Sequence, residues 1–191
     1  MNRTQLPNST EVEQELKRER YKSRYKRTLK STVFALITAA AAAVLVATLW
    51  LPVLQIFGSS MTPTLQEGEI VVSIKDNTME PGDVVAFYYG NKVLIKRYIA
   101  GPGSWVDIRE DGTVIVNGEV LEEPYLEEKA FGICDLELPY QVPDDTYFLM
   151  GDHRGTSVDS RHSTVGCISA DQIVGKIVYR VWPMDAFGVV E

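Results

Sequence analysis

The stretch that decides the fold reads STVFALITAAAAAVLVATLWLPVLQIFGSSMTPTL and covers residues 31–65. Its first 27 residues, 31–57, contain no charged side chain. A helix needs about 20 apolar residues to cross the hydrocarbon core of a bilayer, so this run is long enough to span one. Trp50 and Pro52 stand near its end, where an aromatic residue and a helix breaker are typical of the membrane interface. The sequence therefore predicts a transmembrane helix over 31–57, with the hydroxyl of Ser60 three residues beyond it.

Charge is divided unevenly on the two sides of this run. Residues 1–30 contain nine Lys or Arg and four Glu, a net charge of +5, whereas residues 58–191 contain ten Lys or Arg and 22 Asp or Glu, a net charge of −12. Basic flanks stay in the cytoplasm, so we expect residues 1–30 inside the cell and residues 58–191 outside. An acidic domain repels phosphate backbones, which argues against nucleic acid as a partner. The apolar run exceeds the h-region of a secretory signal, so we interpret it as an uncleaved signal-anchor.

Residues 58–191 are enough for one domain, and their pattern is that of β-structure. Segments rich in Val, Ile, Tyr and Phe alternate with turn sequences that contain Gly, Pro, Asn and Asp. Asn117-Gly118, between two apolar segments, predicts a hairpin with a type I′ turn. Many short strands without a helical period predict a mainly β fold, an antiparallel sheet or barrel-like domain. The predicted strands are 69–74, 83–89, 92–99, 105–109, 113–116, 146–150 and 172–182.

The two cysteines, Cys134 and Cys167, lie in the predicted external domain. A disulfide is permitted outside the cytoplasm, but the sequence leaves open whether the two thiols pair. Neither belongs to a C-x-x-C pair, so we expect no metal site.

Ser60 has two kinds of candidate base. His153 and His162 both lie in the segment GDHRGTSVDSRHS, and a serine–histidine pair could use either of them. Lys96 is predicted to share one face of a strand with Leu94 and Tyr98, where burial would lower the pKa of its amine and let it accept a proton. The residues alone leave these bases open, together with an ordinary exposed lysine on an edge strand.

Five segments form an ordered set along the chain: GSSMTPTL (58–65), PGDVVAF (81–87), VLIKRYIAGPG (93–103), GDHRGTSVDSR (151–161) and GKIVYRVWP (175–183). Each segment alone is weakly specific, but the ordered set covers nearly all of residues 54–183. Taken together, the segments resemble the sequence boxes of type I signal peptidases, membrane-bound serine proteases with a Ser/Lys dyad. The single predicted anchor is similar to the Gram-positive branch of that family.

The resemblance implies a role for individual residues. Ser60 would be the nucleophile, with its backbone N–H as an oxyanion donor, and Lys96 would be the general base. Gly58 stands where some members have a second oxyanion serine, and Ser157 matches the serine that orients the lysine. Asp159 and Arg161 match an ion pair that supports the loop. His153 departs from the pattern, because it replaces the asparagine that is usual in the G-D-N-R box, and this departure concerns the geometry of the loop and not the dyad. The positions that match the lining of shallow pockets for small residues are Ile56, Met61, Leu65, Val71, Leu94 and Ile95.

The implied activity is removal of N-terminal signal peptides from secretory preproteins, after small residues at positions −1 and −3. The resemblance implies a single-pass protein of the cell membrane that needs no metal or cofactor, with preproteins and the lipid bilayer as partners. Three alternatives stay open: an inactive anchored β-domain that binds peptides, a specialised peptidase for pilus or surface-protein assembly, and an autoproteolytic Ser/Lys repressor. The anchor and the acidic balance argue against the repressor.

Overall fold

The computed structural model describes residues 9–75 and 78–190 of the chain. Two compact units are present, Met1–Leu49 and Trp50–Glu191. The first eight residues of the predicted cytoplasmic segment lie outside the described residues.

The first unit is built from one helix, α1, Ser9–Trp50. The basic segment and the apolar run are therefore continuous in a single helix, which is long and apolar enough to cross a membrane by length and composition. The helix ends earlier than predicted. Pro52 has no N–H to donate and disfavours helical backbone at the residue before it, so the helix ends just before this pair. Residues 51–57, which we expected inside the span, lie outside the helix.

The second unit consists of short β-strands, which confirms the predicted mainly antiparallel β fold with one long apolar N-terminal helix. The strands β1 to β6 are Val53–Gln55, Ile70–Ile74, Val84–Tyr89, Lys92–Ala100, Trp105–Ile108 and Val114–Val116. The strands β7 to β12 are Glu119–Val120, Tyr140–Gln141, Thr146–Met150, Ile168–Ser169, Ile173–Trp182 and Gly188–Val189. Two short 3-10 helices follow β10 and β11, Ala170–Gln172 and Met184–Ala186.

Two antiparallel sheets organise these strands. The larger has the order β1-β2-β11-β3-β4-β9-β10, with β12 beside β11, and the smaller has the order β7-β6-β5-β8. The hairpin between β6 and β7 pairs Val116 with Glu119 across a two-residue turn. Asn117 and Gly118 have φ angles of 53° and 88°, so the predicted type I′ turn is confirmed.

Strand β4 separates two parts of the core. Leu94 and Tyr98 pack in one cluster with Phe87, while Ile95 packs in another with Val71. This alternation confirms that Leu94 and Tyr98 share a face, as the period of two predicts. Lys96 lies between them on that face and is only 5% exposed. The sheet therefore places an amine in a largely apolar wall.

Candidate active site

Ser60 lies in the turn that follows β1, and this turn is anchored both in the core and to the loop at His153. Met61 and Leu65 bury their side chains in the core, and the N–H of Leu65 donates to the carbonyl of Met61 at 2.8 Å. The carbonyl of Ser60 accepts a hydrogen bond from the N–H of His153 at 3.1 Å. A buried anchor and a long-range backbone bond thus hold the position of the serine.

Lys96 is the side chain that meets the serine hydroxyl. Its Nζ lies 2.6 Å from the Oγ of Ser60, within hydrogen-bond distance. Burial lowers the pKa of Lys96 to about 8, against an opposing effect from the nearby charges of Asp159 and Asp152 and a reinforcing one from Arg161. A lysine that is neutral over part of the physiological range and touches a hydroxyl can accept its proton.

The two histidines are engaged elsewhere. His153 Nδ1 lies 2.8 Å from Thr156 Oγ1, and His162 Nδ1 lies 2.8 Å from Thr164 Oγ1. Among the described residues neither ring hydrogen-bonds Ser60, so the geometry favours Lys96 over a histidine as its base. His153, which stands where the family usually has asparagine, supports the serine through its backbone and not its ring.

The loop 151–161 is fixed by a buried ion pair. Arg161 donates to both oxygens of Asp159 at 2.9 Å, and the N–H of Gly151 donates to the same carboxylate at 2.9 Å. Burial alone would raise the pKa of Asp159, but the hydrogen bonds and charge of Arg161 and the Gly151 N–H hold it below the ordinary value. The two residues that the resemblance pairs are therefore together, next to the dyad lysine.

Two further buried pairs were missed in the sequence. Arg97 donates to Asp152 at 2.8 and 2.7 Å, and Arg154 donates to both oxygens of Glu123. Tyr125 stacks under the guanidinium of Arg97 at 3.7 Å. Asp152 and Arg154 belong to the segment 151–161, which resembles one of the family's sequence boxes. Nothing in the sequence indicated Glu123, which lies in the acidic, loop-rich stretch between β7 and β8.

Ser157 is in the site without the contact we expected of it. Its hydroxyl oxygen is fully buried and makes no hydrogen bond to Lys96. The hydroxyl lies close enough to the carboxylate of Asp159 to help lower the pKa of that group, but the two do not meet in hydrogen-bond geometry.

Gly151 lies against both Ser157 and Ser60. A Cβ at this position would meet the Ser157 side chain and would lie 2.6 Å from the carbonyl oxygen of Ser60. Only glycine fits between the two.

An open groove of about 670 Å³ leads to the dyad. One wall is β1 with the residues after it, and the other is the first half of β4, residues 92–96. Of the six residues predicted to line substrate pockets, four line the groove: Ile56, Met61, Leu94 and Ile95. The other two, Leu65 and Val71, do not. They are fully buried in the core behind Ile56 and Met61, and so support the floor of the groove from within.

Two features of the backbone stand out beside the serine in this groove. The N–H of Ser60 has no acceptor among the described residues. Gly58, with a φ of +82°, lines the groove two residues before the serine and would leave free space around a Cβ. Gly58 offers no side-chain donor.

No metal cluster and no disulfide occur in the described part of the chain. No group of three His, Cys, Asp or Glu in residues 9–75 and 78–190 is arranged to hold a metal ion. Cys134 and Cys167 are both free thiols.

A serine hydroxyl beside a buried amine, at the end of an open groove, is an arrangement that suits a serine hydrolase. The family model "Signal peptidase, peptidase S26" matches residues 28–182, and the chain belongs to this family of serine peptidases. It is 37% identical over 150 residues to signal peptidase IB of Staphylococcus aureus (strain COL), which covers 68% of this chain and 77% of that protein. It is 33% identical over 165 residues to signal peptidase I of Bacillus caldolyticus, with 76% and 89% covered. A solved signal peptidase I from Enterococcus faecalis V583 aligns with a TM-score of 0.45 and 27% identity, over 52% of this chain and 96% of that one.

Proposed function

We propose that this protein is a membrane-anchored endopeptidase that removes N-terminal signal peptides from secretory preproteins, with Ser60 as nucleophile and Lys96 as general base. The observation that carries the proposal is the 2.6 Å contact between Lys96 Nζ and Ser60 Oγ in a wall where the lysine is almost fully buried. Family membership supplies the reaction class, and the contact supplies the residues.

The neutral amine of Lys96 takes the proton of the Ser60 hydroxyl as Oγ attacks the carbonyl carbon of the scissile bond. The negative charge that develops on the carbonyl oxygen is stabilised by the backbone N–H of Ser60, with a further backbone or water contribution near Gly58. The ammonium of Lys96 then protonates the leaving amine, and the C–N bond breaks. Water, deprotonated by the same lysine, hydrolyses the acyl-enzyme. The Asp159–Arg161 pair and the backbone hydrogen bonds of Ser157 hold the loop beside the lysine.

The groove can bind an extended peptide as an added strand. Strand β4 pairs with β9 only from Arg97 onward, so residues 92–96 have no strand partner on that side among the described residues. Strand β1 is the edge strand at the end of the same sheet. A peptide between these two edges gains main-chain hydrogen bonds, and its alternate side chains enter the apolar lining. Ile56, Met61, Leu94 and Ile95 leave room for small residues, which suits positions −1 and −3.

The bilayer is the second proposed partner. Apolar side chains along α1, such as Phe34 and Ile37, are exposed, as lipid contact requires. Basic residues precede them, and such residues usually stay in the cytoplasm, so the proposed orientation has the N-terminus inside the cell and the β-unit outside the cell membrane. Protease treatment of intact protoplasts should therefore digest the β-unit and spare the N-terminal segment; a protected β-unit would reverse this orientation.

The β-unit has an exposed apolar row of its own. Val53, Val72, Tyr179 and Val189 are paired in one row across β1, β2, β11 and β12. Val53 and Val189 are about 60% exposed, and Tyr179 is half-exposed. Because Val53 follows the end of α1 by three residues, we infer that this row meets the lipid interface, where valine and tyrosine are well accommodated.

The proposal is tested with the full chain in detergent and a model preprotein. Wild type should cleave it, whereas Ser60→Ala and Lys96→Arg should not, because guanidinium cannot deprotonate. Lys75→Arg, an exposed lysine outside the groove, is the matched control and should cleave normally. A peptide-binding domain without activity would give no cleavage by wild type, and full activity of Lys96→Arg would reject the dyad.

A further inference from the structure

A second pocket, of about 420 Å³, opens at the dyad. It shares Gly58, Ser60, Leu94 and Lys96 with the groove, and then continues along different residues. Its own walls come from the residue before Ser60, from the end of β3, and from the loop 151–161 with the residues that follow it. They are Ser59, Tyr89, Thr156, Val158, Thr164 and Val165.

The two pockets lie on opposite sides of the position that the scissile bond of a bound peptide would occupy. The carbonyl under attack must lie at Ser60, where the two pockets meet. The groove along β1 and β4 has the apolar lining that fits the small residues before the bond. The chain after the bond must leave on the other side of the dyad. We propose that the second pocket is a binding subsite for the first residues of the mature protein, positions +1 and +2, and that it accepts uncharged residues. This inference rests on the proposed peptidase function.

The chemistry of the walls supports uncharged ligands. No carboxylate lines the described pocket, and its amine, Lys96, is neutral in the active form. Its hydroxyls are largely engaged. Tyr89 donates to the carbonyl of Thr164 at 2.8 Å, and the hydroxyls of Thr156 and Thr164 each contact a histidine nitrogen at 2.8 Å. A charged side chain of the substrate would lose its hydrating water on entering this pocket and would find few groups to pair or hydrogen-bond with. Its burial would therefore be unfavourable.

The pocket is preformed, and its rim offers a site for mutation. The hydrogen bond from Tyr89 joins the end of β3 to the loop at Thr164, so both walls are tied together without ligand. Val158 lines the pocket and is 51% exposed, so its side chain can be changed without opening the core. Val120, on β7 of the smaller sheet, is 52% exposed and lines neither pocket. It is a matched control for the same substitutions.

The experiment measures kcat/KM of the full chain in detergent on preproteins that differ only at +1, with Ala, Lys or Asp. Wild type should prefer Ala. Val158→Asp should raise the Lys/Ala ratio by about fivefold, and Val158→Lys should raise the Asp/Ala ratio similarly, as expected for a partly exposed ion pair. Preference at −1 and −3 should stay unchanged, and Val120→Asp and Val120→Lys should keep the wild-type ratios.

Each outcome decides between the two proposals. If wild type cleaves preproteins but both charged variants keep its +1 ratios, or alter the preference at −3 instead, the subsite assignment is overturned. If wild type cleaves no preprotein, the peptidase function itself fails. Should a charged variant lack a cooperative thermal transition, Val158→Trp replaces it. A narrowed rim should then lower kcat/KM for Tyr at +1 relative to Ala, and an unchanged ratio would again overturn the subsite.

Discussion

The protonation state of Lys96 should control the rate of cleavage. Burial lowers the pKa of this lysine from 10.5 to about 8. At pH 7 a group with a pKa of 8 is about 9% neutral, whereas one with a pKa of 10.5 is about 0.03% neutral, a gain of about 300-fold in the reactive form. Only the neutral amine accepts the serine proton, so kcat/KM should fall about tenfold per pH unit below pH 8 and reach a plateau above it.

The assay is cleavage of a model preprotein by the full chain in detergent between pH 6 and pH 10, at substrate concentrations well below KM. Rates at these substrate concentrations report kcat/KM. The acidic limb of their pH profile reports the pKa of the base in the free enzyme. His153→Ala and His162→Ala are the controls, because both rings contact threonines and not the dyad. Both variants should keep the acidic limb at its wild-type position.

Two results would refute this reasoning. One is a rate that stays constant down to pH 6.5, because a lysine with a pKa near 8 would already be mostly protonated there. The other is an acidic limb that disappears in a histidine variant, which would show a serine–histidine mechanism. Thermal unfolding of each variant separates loss of a base from loss of the fold, since a folded domain melts cooperatively.

Three other predictions follow from the packing of the site. Gly151→Ala should abolish activity because its Cβ would collide with Ser157 and the Ser60 carbonyl, whereas Gly155→Ala, with free space around it, should remain active in the same cleavage assay. Glu123→Ala leaves a buried arginine unpaired and should lower the free energy of unfolding by about 3–5 kcal/mol, while Glu122→Ala, at an exposed position, should change it little in urea titrations. A preprotein with Phe at −1 should be cleaved with a kcat/KM about 10- to 100-fold below that of one with Ala at −1, because Phe overpacks the pocket. Efficient cleavage would contradict the proposed preference for small residues at −1.

Much of the fold was predictable because its signals are local. Alternation of apolar residues gave the seven predicted strands to within a residue or two, whereas the short strands β1, β8, β10 and β12 were not predicted. The same alternation put Leu94 and Tyr98 on one face of β4, which is why Lys96 is buried. Asn117-Gly118 required a type I′ turn, and the turn is present. The end of α1 was misjudged because hydrophobicity continues into β1, and only Pro52 marks the boundary.

The partners of the buried charges could not be predicted in the same way. Glu123 and Arg154 are 31 residues apart, and Arg97 and Asp152 are 55 apart. Neither pair has a periodic spacing, so only the folded chain brings them together. The expected hydrogen bond from Ser157 to Lys96 is absent in the structure. A match to a sequence motif identifies the residue at a position, but it does not determine the rotamer of the side chain. The pairing of Ser60 with Lys96 was likewise inferred from the resemblance to a family and not from the spacing of the two residues in the sequence.

The buried arginines explain how a lysine near acidic groups can keep a low pKa. Asp159 and Asp152 both favour the charged form of Lys96 and would raise its pKa. Each of these carboxylates is bound by its own guanidinium, Arg161 for Asp159 and Arg97 for Asp152, and the charge of Arg161 itself acts to lower the pKa of Lys96. Desolvation then dominates, and the amine remains near a pKa of 8. An arginine suits this task because it stays protonated at any pH where the lysine titrates, so the compensation does not change as the base works.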